Sequence, residues 1–129
     1  MADFKKLLVW SKAHALALQS HRTAARIRGQ QNASLRNQIT RAAQSIPANI
    51  VEGRGQTSER EFARFLGYAL NSASELEYHL IMARDVHALP EPAVSTLTAQ
   101  LTEVRKMLHG LLSRLSREPR PPDKRPPSV

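Results

Sequence analysis

The chain has 129 residues, 41% of them hydrophobic, with five glycines, 5% aromatics and no cysteine. That length suits one domain able to bury roughly two-thirds of the surface its unfolded chain exposes. The missing thiols exclude a disulfide scaffold, a cysteine zinc site, an iron–sulfur cluster and a thiol nucleophile, and so few glycines and aromatics speak against a turn-rich sandwich or barrel. The formal charge of +8 is unevenly placed: residues 1–56 hold nine lysines and arginines against two carboxylates, residues 57–116 six against seven, and residues 117–129 four against two. A basic excess favours a polyanionic partner. No apolar run approaches the roughly 18 residues of a membrane span. The opening Met1-Ala2-Asp3-Phe4-Lys5-Lys6 lacks a signal-peptide core. A cytoplasmic protein with no membrane partner is expected.

In chain order, the first helical stretch runs from about Leu7 to Ile27 and ends at the turn Arg28-Gly29-Gln30-Gln31-Asn32. Asn32 or Ser34 can cap the second helix, expected from about Leu35 to Glu52. Pro47 lies inside it and should kink it, and Gly53-Arg54-Gly55 should stop it through a left-handed glycine. Ser58-Glu59-Arg60-Glu61 fits a capping box and opens a third helix that continues to about His87. Leu89-Pro90-Glu91-Pro92 makes the next turn, with Pro92 suited to the first position of a fourth helix reaching about Ser116. Residues 1–116 are therefore read as one bundle. Residues 117–129 are read as a disordered, basic, Pro-rich tail.

The hydrophobic spacing is plainest on the third helix, where Phe62, Leu66, Ala69, Ala73, Leu76, Leu80 and Ala83 alternate steps of four and three. Val94, Leu97, Leu101, Val104, Leu108, Leu111 and Leu115 do the same on the fourth, and Leu35, Ile39, Ala42, Ile46 and Ile50 line the second. Such seams and short connections predict an all-α fold, an antiparallel up-down-up-down four-helix bundle. The first helix fits less well, because Leu8, Trp10, Leu16, Leu18 and Ile27 point in different directions. Together with Phe65, Leu70 and Ile81 off the main seam of the third helix, it predicts burial against further copies of the chain.

Candidate chemistry is sparse. A di-iron bundle needs Glu-x-x-His pairs, and none occurs; Glu75, Glu77 and His79 suit a surface ion pair better. No nucleophile elbow, phosphate-binding P-loop or dinucleotide fingerprint is present. Neither an enzyme activity, a metal nor a cofactor is expected. The basic groups remain: Lys5, Lys12, Arg22 and Arg26 share a broad arc of the first helix, Arg36 and Arg41 lie on the second, and Arg54 and Arg60 flank one loop. Arginine's planar fork matches phosphate oxygens, so these eight are the candidate phosphate contacts. The aromatics are too few for a base-stacking platform, which leaves backbone or shape recognition with steep salt dependence, and RNA as the favoured ligand. In the tail, Pro119-Arg120-Pro121-Pro122 carries a P-x-x-P spacing of the kind SH3 grooves read.

The run from Leu35 to Gly53 spells L-x-x-Q-x-x-R-A-A-x-S-I-P-x-N-I-x-E-G, with Ser45, Pro47, Asn49, Glu52 and Gly53 at its most specific end. The opening Phe4 to Ala13 spells F-x-x-L-x-V-W-x-K-A around Trp10, and Glu61-Phe62, Phe65-Leu66, Ser72 and Glu75-Leu76-Glu77 follow on the third helix. In these pieces the chain resembles the four helix bundle protein family, also called the 23S ribosomal RNA intervening-sequence protein family, from about Phe4 to Leu115. It departs where the family often has Gly-Ser and this chain has Asn71-Ser72. The resemblance implies a homopentameric ring of antiparallel bundles, encoded in bacterial ribosomal RNA genes or standing alone. It also implies kinship with accessory factors of diversity-generating retroelements, which would make a reverse transcriptase an alternative partner and the protein an adaptor. By the same resemblance Asn49, Glu52, Glu75 and Glu77 are expected to be buried or interfacial polar groups that set helix register, with no catalytic residue carried over.

Overall fold

The computed structural model describes residues 3–116; the Pro-rich tail expected at 117–129 lies outside the described residues. Four α-helices follow one another: α1 Leu8–Ala24, α2 Ala33–Arg54, α3 Glu59–Asp85 and α4 Glu91–Leu115. Short 3-10 turns, Phe4–Lys6 and Gln30–Asn32, precede α1 and α2, and there is no strand among the described residues. Helix α2 packs on α1 and α3, and α4 packs on α3 and α1. Each helix thus has two neighbours around a central core. All seven seam residues of α3 are buried, as are Ile39, Ala42, Ile46 and Ile50 of α2. On α4 the first five seam residues are buried, while Leu111 and Leu115 are half-buried near the chain's described end. Each large side chain buried here contributes roughly 1.5–3 kcal/mol relative to leaving it in water.

The seam of α1 takes in only some of its large apolar residues. Val9, Ala13, Leu16, Ser20, Thr23 and Ile27 are buried, with Ala17 and Ala24 beside them, whereas Leu8 is 64% and Leu18 43% exposed. The spacing of four and three is regular, yet it runs through small and hydroxylated side chains, which is why apolar bulk alone misses it.

The helix ends obey local chemistry, with some departures from expectation. Ser58 Oγ accepts the Glu61 N–H at 3.1 Å and opens α3, as the capping box predicts. Asn32 occupies the N-cap of α2 but its side chain does not cap; its amide donates to the Arg28 carbonyl at 2.9 Å and closes the preceding turn. That turn passes through Gly29 at φ 93°, where only glycine is unstrained. Pro90 caps α4, so Pro92 takes the second rather than the first helical position. Helix α3 ends on His87 at φ 60°, with Ala88 N–H donating to Ala83 O at 2.8 Å and His87 N–H to Arg84 O at 3.1 Å. This is the Schellman pattern with histidine where glycine is usual. His87→Gly is expected to raise stability by about 1 kcal/mol, read as an increase in Tm, since the left-handed cost of a side chain disappears.

Gly53 does not stop α2. It lies buried within the helix, which ends two residues later at Gly55 with φ −78°. Its role is proximity: a Cβ there would lie 2.8 Å from Phe65 Cβ and 2.9 Å from Phe62 Cδ1. Pro47 is also buried, and α2 runs through it. The proline lacks an N–H, so the carbonyl one turn before it loses its usual partner.

Candidate nucleic-acid interface

The candidate phosphate contacts fall into separate groups. Arg36 and Arg54 stand 18 residues apart on α2, about 27 Å along its axis. One chain therefore cannot present all eight cations to a single phosphate cluster. Arg36 and Arg41 are brought together with His21 and Ala25 of α1 in an open cleft of about 410 Å³, also lined by Asn37, Thr40 and Gln44. Arg22 and Arg26 are exposed at the same end of α1. Arg54 and Arg60 flank the loop between α2 and α3 at the far end of α2.

Their surroundings differ as much as their positions. Lys5, Arg22, Arg26, Arg41 and Arg60 are exposed and make no ion pair among the described residues. Lys12 is not free: its Nζ lies 3.3 Å from Glu103 on α4, an exposed pair worth at most about 1 kcal/mol. Arg36 is half-buried and donates from Nη1 to the Ile27 carbonyl at 2.8 Å, which satisfies an orphan acceptor just past α1. That hydrogen bond is a structural duty the sequence does not announce. Arg54 lies with its guanidinium carbon 5.6 Å from the Phe62 ring centroid, and its Nε is buried without a hydrogen-bond partner. Part of the guanidinium itself is thus buried against the core residue Phe62. Arg64, which was not among the candidates, is tied to Glu61 at 2.7 Å and lies over the Phe65 and Tyr68 rings at 5.6 and 5.8 Å.

The motif residues build the α2–α3 contact. Ser45 and Ser72 share a hydrogen bond of 2.7 Å, and Asn49 Nδ2 donates to the Ser45 carbonyl at 2.8 Å and to its hydroxyl at 3.0 Å. Asn71, the point of departure from the family pattern, is exposed beside this bond. Asn49 is half-buried, but Glu52 and Glu75 are exposed, so within the chain they are not buried polar groups. Glu77 sits 3.6 Å from Arg105 on α4, which also donates to the Ala73 carbonyl at 3.4 Å. Trp10 is half-buried, with the Phe4 ring edge-on at 5.1 Å and His14 stacked at 5.0 Å. Among the described residues no three His, Asp or Glu side chains cluster so as to hold a metal ion, and no helix is long and apolar enough to cross a membrane.

The fold and its surface define a class: a small all-α protein of four packed helices that carries exposed cations without ion pairs among the described residues. Residues 5–110 match the model of the 23S rRNA-intervening sequence protein family, and the chain belongs to that family. It is also similar to a crystal structure, solved at 1.70 Å, of a protein with unknown function from the S23 ribosomal protein family of Bacteroides thetaiotaomicron VPI-5482. The two are 25% identical, with a TM-score of 0.76 over 81% of this chain and 98% of that one. No curated protein matches.

Proposed function

We propose a non-enzymatic, homo-oligomeric nucleic-acid-binding protein of the cytoplasm that grips phosphates through a basic surface, with RNA the favoured ligand. One observation carries this reading: Lys5, Arg22, Arg26, Arg41 and Arg60 are exposed without ion pairs among the described residues. Unpaired surface cations release counterions from a polyanion on binding and give strongly salt-dependent affinity. The family name adds an rRNA context. For the protomer we favour up-down-up-down order. It is supported by the short connections and by contacts running in opposite senses along α2 and α3, where Ser45 meets Ser72 and Gly53 abuts Phe62 and Phe65. For the assembly we favour a pentameric ring. Its support is apolar surface left over on two helices: Leu8 and Leu18 on α1, and Tyr78, Ile81 and Met82 on α3. Copies on one ring would multiply a weak patch through effective concentration.

The same apolar side chains favour a second reading, a protein–protein adaptor such as an accessory subunit of a reverse transcriptase. The two readings separate in one experiment. Binding of a labelled structured RNA is measured across a salt series, with particle mass from light scattering. The RNA reading expects submicromolar binding at low salt, a steep fall with added salt, and a mass near five chains. Binding that stays weak at low salt overturns it and favours the adaptor, whose apolar contacts survive salt.

A further inference from the structure

The geometry points to the cleft between α1 and α2 as a discrete notch for one nucleotide phosphate, an inference that rests on the nucleic-acid reading and adds a site to it. The cleft measures about 410 Å³, within the range of sites that hold small ligands. Its polar lining is His21, Arg36, Asn37, Thr40, Arg41 and Gln44, and no carboxylate is among the lining residues. Residues 1–56 hold only two acidic residues, Asp3 and Glu52. Asp3 precedes α1, and Glu52 sits 11 residues beyond Arg41, about 16 Å along α2. An anion in the notch therefore meets donors and positive charge with no facing carboxylate.

The donors are prepared in different ways. Arg36 spends one guanidinium nitrogen on the Ile27 carbonyl at 2.8 Å, and that anchor orients the remaining N–H groups at little further entropic cost. Thr40 Oγ1 donates to the Arg36 carbonyl at 3.1 Å, so it offers only lone pairs, which suit a sugar hydroxyl better than a phosphate. Arg41 is exposed and unpaired, and the Asn37 and Gln44 amides have no side-chain hydrogen-bond partner among the described residues. Two forks, two amides and an imidazole converging from two helices match a phosphate ester carrying a ribose. A carboxylate would leave most of these donors unused.

Full-length protein labelled with nitrogen-15 is titrated at low salt with adenosine monophosphate, and in parallel with inorganic phosphate and with adenosine. The expected result is saturable shifts of the Gln44 and Asn37 amides and the His21 ring with the nucleotide, weaker ones with phosphate, and none with adenosine. Arg41→Gln is expected to weaken nucleotide binding about tenfold, the loss of one charge-assisted contact. Arg114→Gln, an exposed arginine in the last turn of α4 and outside the cleft lining, should leave it unchanged. Arg36→Lys keeps the charge and removes the fork, and should also weaken it, with circular dichroism confirming the fold. Equal loss in the Arg41 and Arg114 variants, or equal shifts with adenosine, overturns the notch. RNA binding by a protein whose notch ignores the nucleotide overturns this inference alone. Nucleotide binding at the notch without RNA binding upholds it and overturns the nucleic-acid reading.

Discussion

Replacing Gly53 with valine is expected to destabilise the fold by about 3 kcal/mol, a drop of roughly 10 °C in Tm for a domain of this size. The reason is backbone proximity. Even a single Cβ at Gly53 would stand 2.8 Å from Phe65 Cβ and 2.9 Å from Phe62 Cδ1, with the Phe62 carbonyl at 3.3 Å. The nearest atom is a Cβ, rigidly attached to α3, so a rotamer change cannot relieve the contact. Helices α2 and α3 would have to separate, pulling apart the Ser45–Ser72 hydrogen bond along the same contact. Alanine, with one methyl and better helix propensity, should lose less than valine. Gly110 supplies the contrast: it is exposed in α4, and a Cβ there meets nothing within 4 Å. Gly110→Ala is expected to stabilise by up to about 1 kcal/mol, because only the cost of glycine in a helix is removed. Thermal melts of these variants decide the matter. A Gly53→Val protein as stable as the parent would show that the α2–α3 contact is loose.

Reversing charge at Arg54 and Arg60 together should weaken binding of a structured RNA at least about tenfold at low salt. The double reversal should also flatten the salt slope by roughly 1.5 for each chain in contact. Arg60 is exposed with no ion pair among the described residues, so its reversal changes the field without disturbing packing. Arg54 is half-buried, stacked on Phe62, and its Nε has no partner, so its reversal tests both charge and local fit. Arg60→Glu alone separates the two effects, and light scattering checks that assembly is intact. Lys12→Glu should cost less RNA affinity than Arg60→Glu, because Lys12 is already paired with Glu103. Unchanged binding and slope in the double variant would remove the α2–α3 end from the interface.

How legible was this in the chain? The α3 and α4 seams could be read directly, since apolar residues repeat there in unbroken steps of four and three even with Phe65, Leu70 and Ile81 off the seam of α3. The start of α3 was equally plain, because Ser58 and Glu61 form a cap from residues three apart. Helix α1 was harder. Its buried face is built on Ala13, Ser20 and Thr23, while Leu8 and Leu18 are left outside, so hydrophobic size pointed away from the real seam. Gly53 was legible as glycine but not as a contact, since the demand for a missing Cβ comes from Phe62 and Phe65 on another helix.

The sequence by itself determined the four helices, their order, most of the core and the concentration of positive charge in residues 1–56. Those properties depend on local spacing, caps and composition, which act within a few residues. Only the tertiary structure decided which cations are free. It committed Lys12 to Glu103 and Arg36 to the Ile27 carbonyl, set Arg54 over Phe62, and brought Arg36 and Arg41 beside His21 in one cleft. A charge's availability depends on what packing places within a few ångströms of it, and those neighbours lie 8 to 91 residues away in the chain.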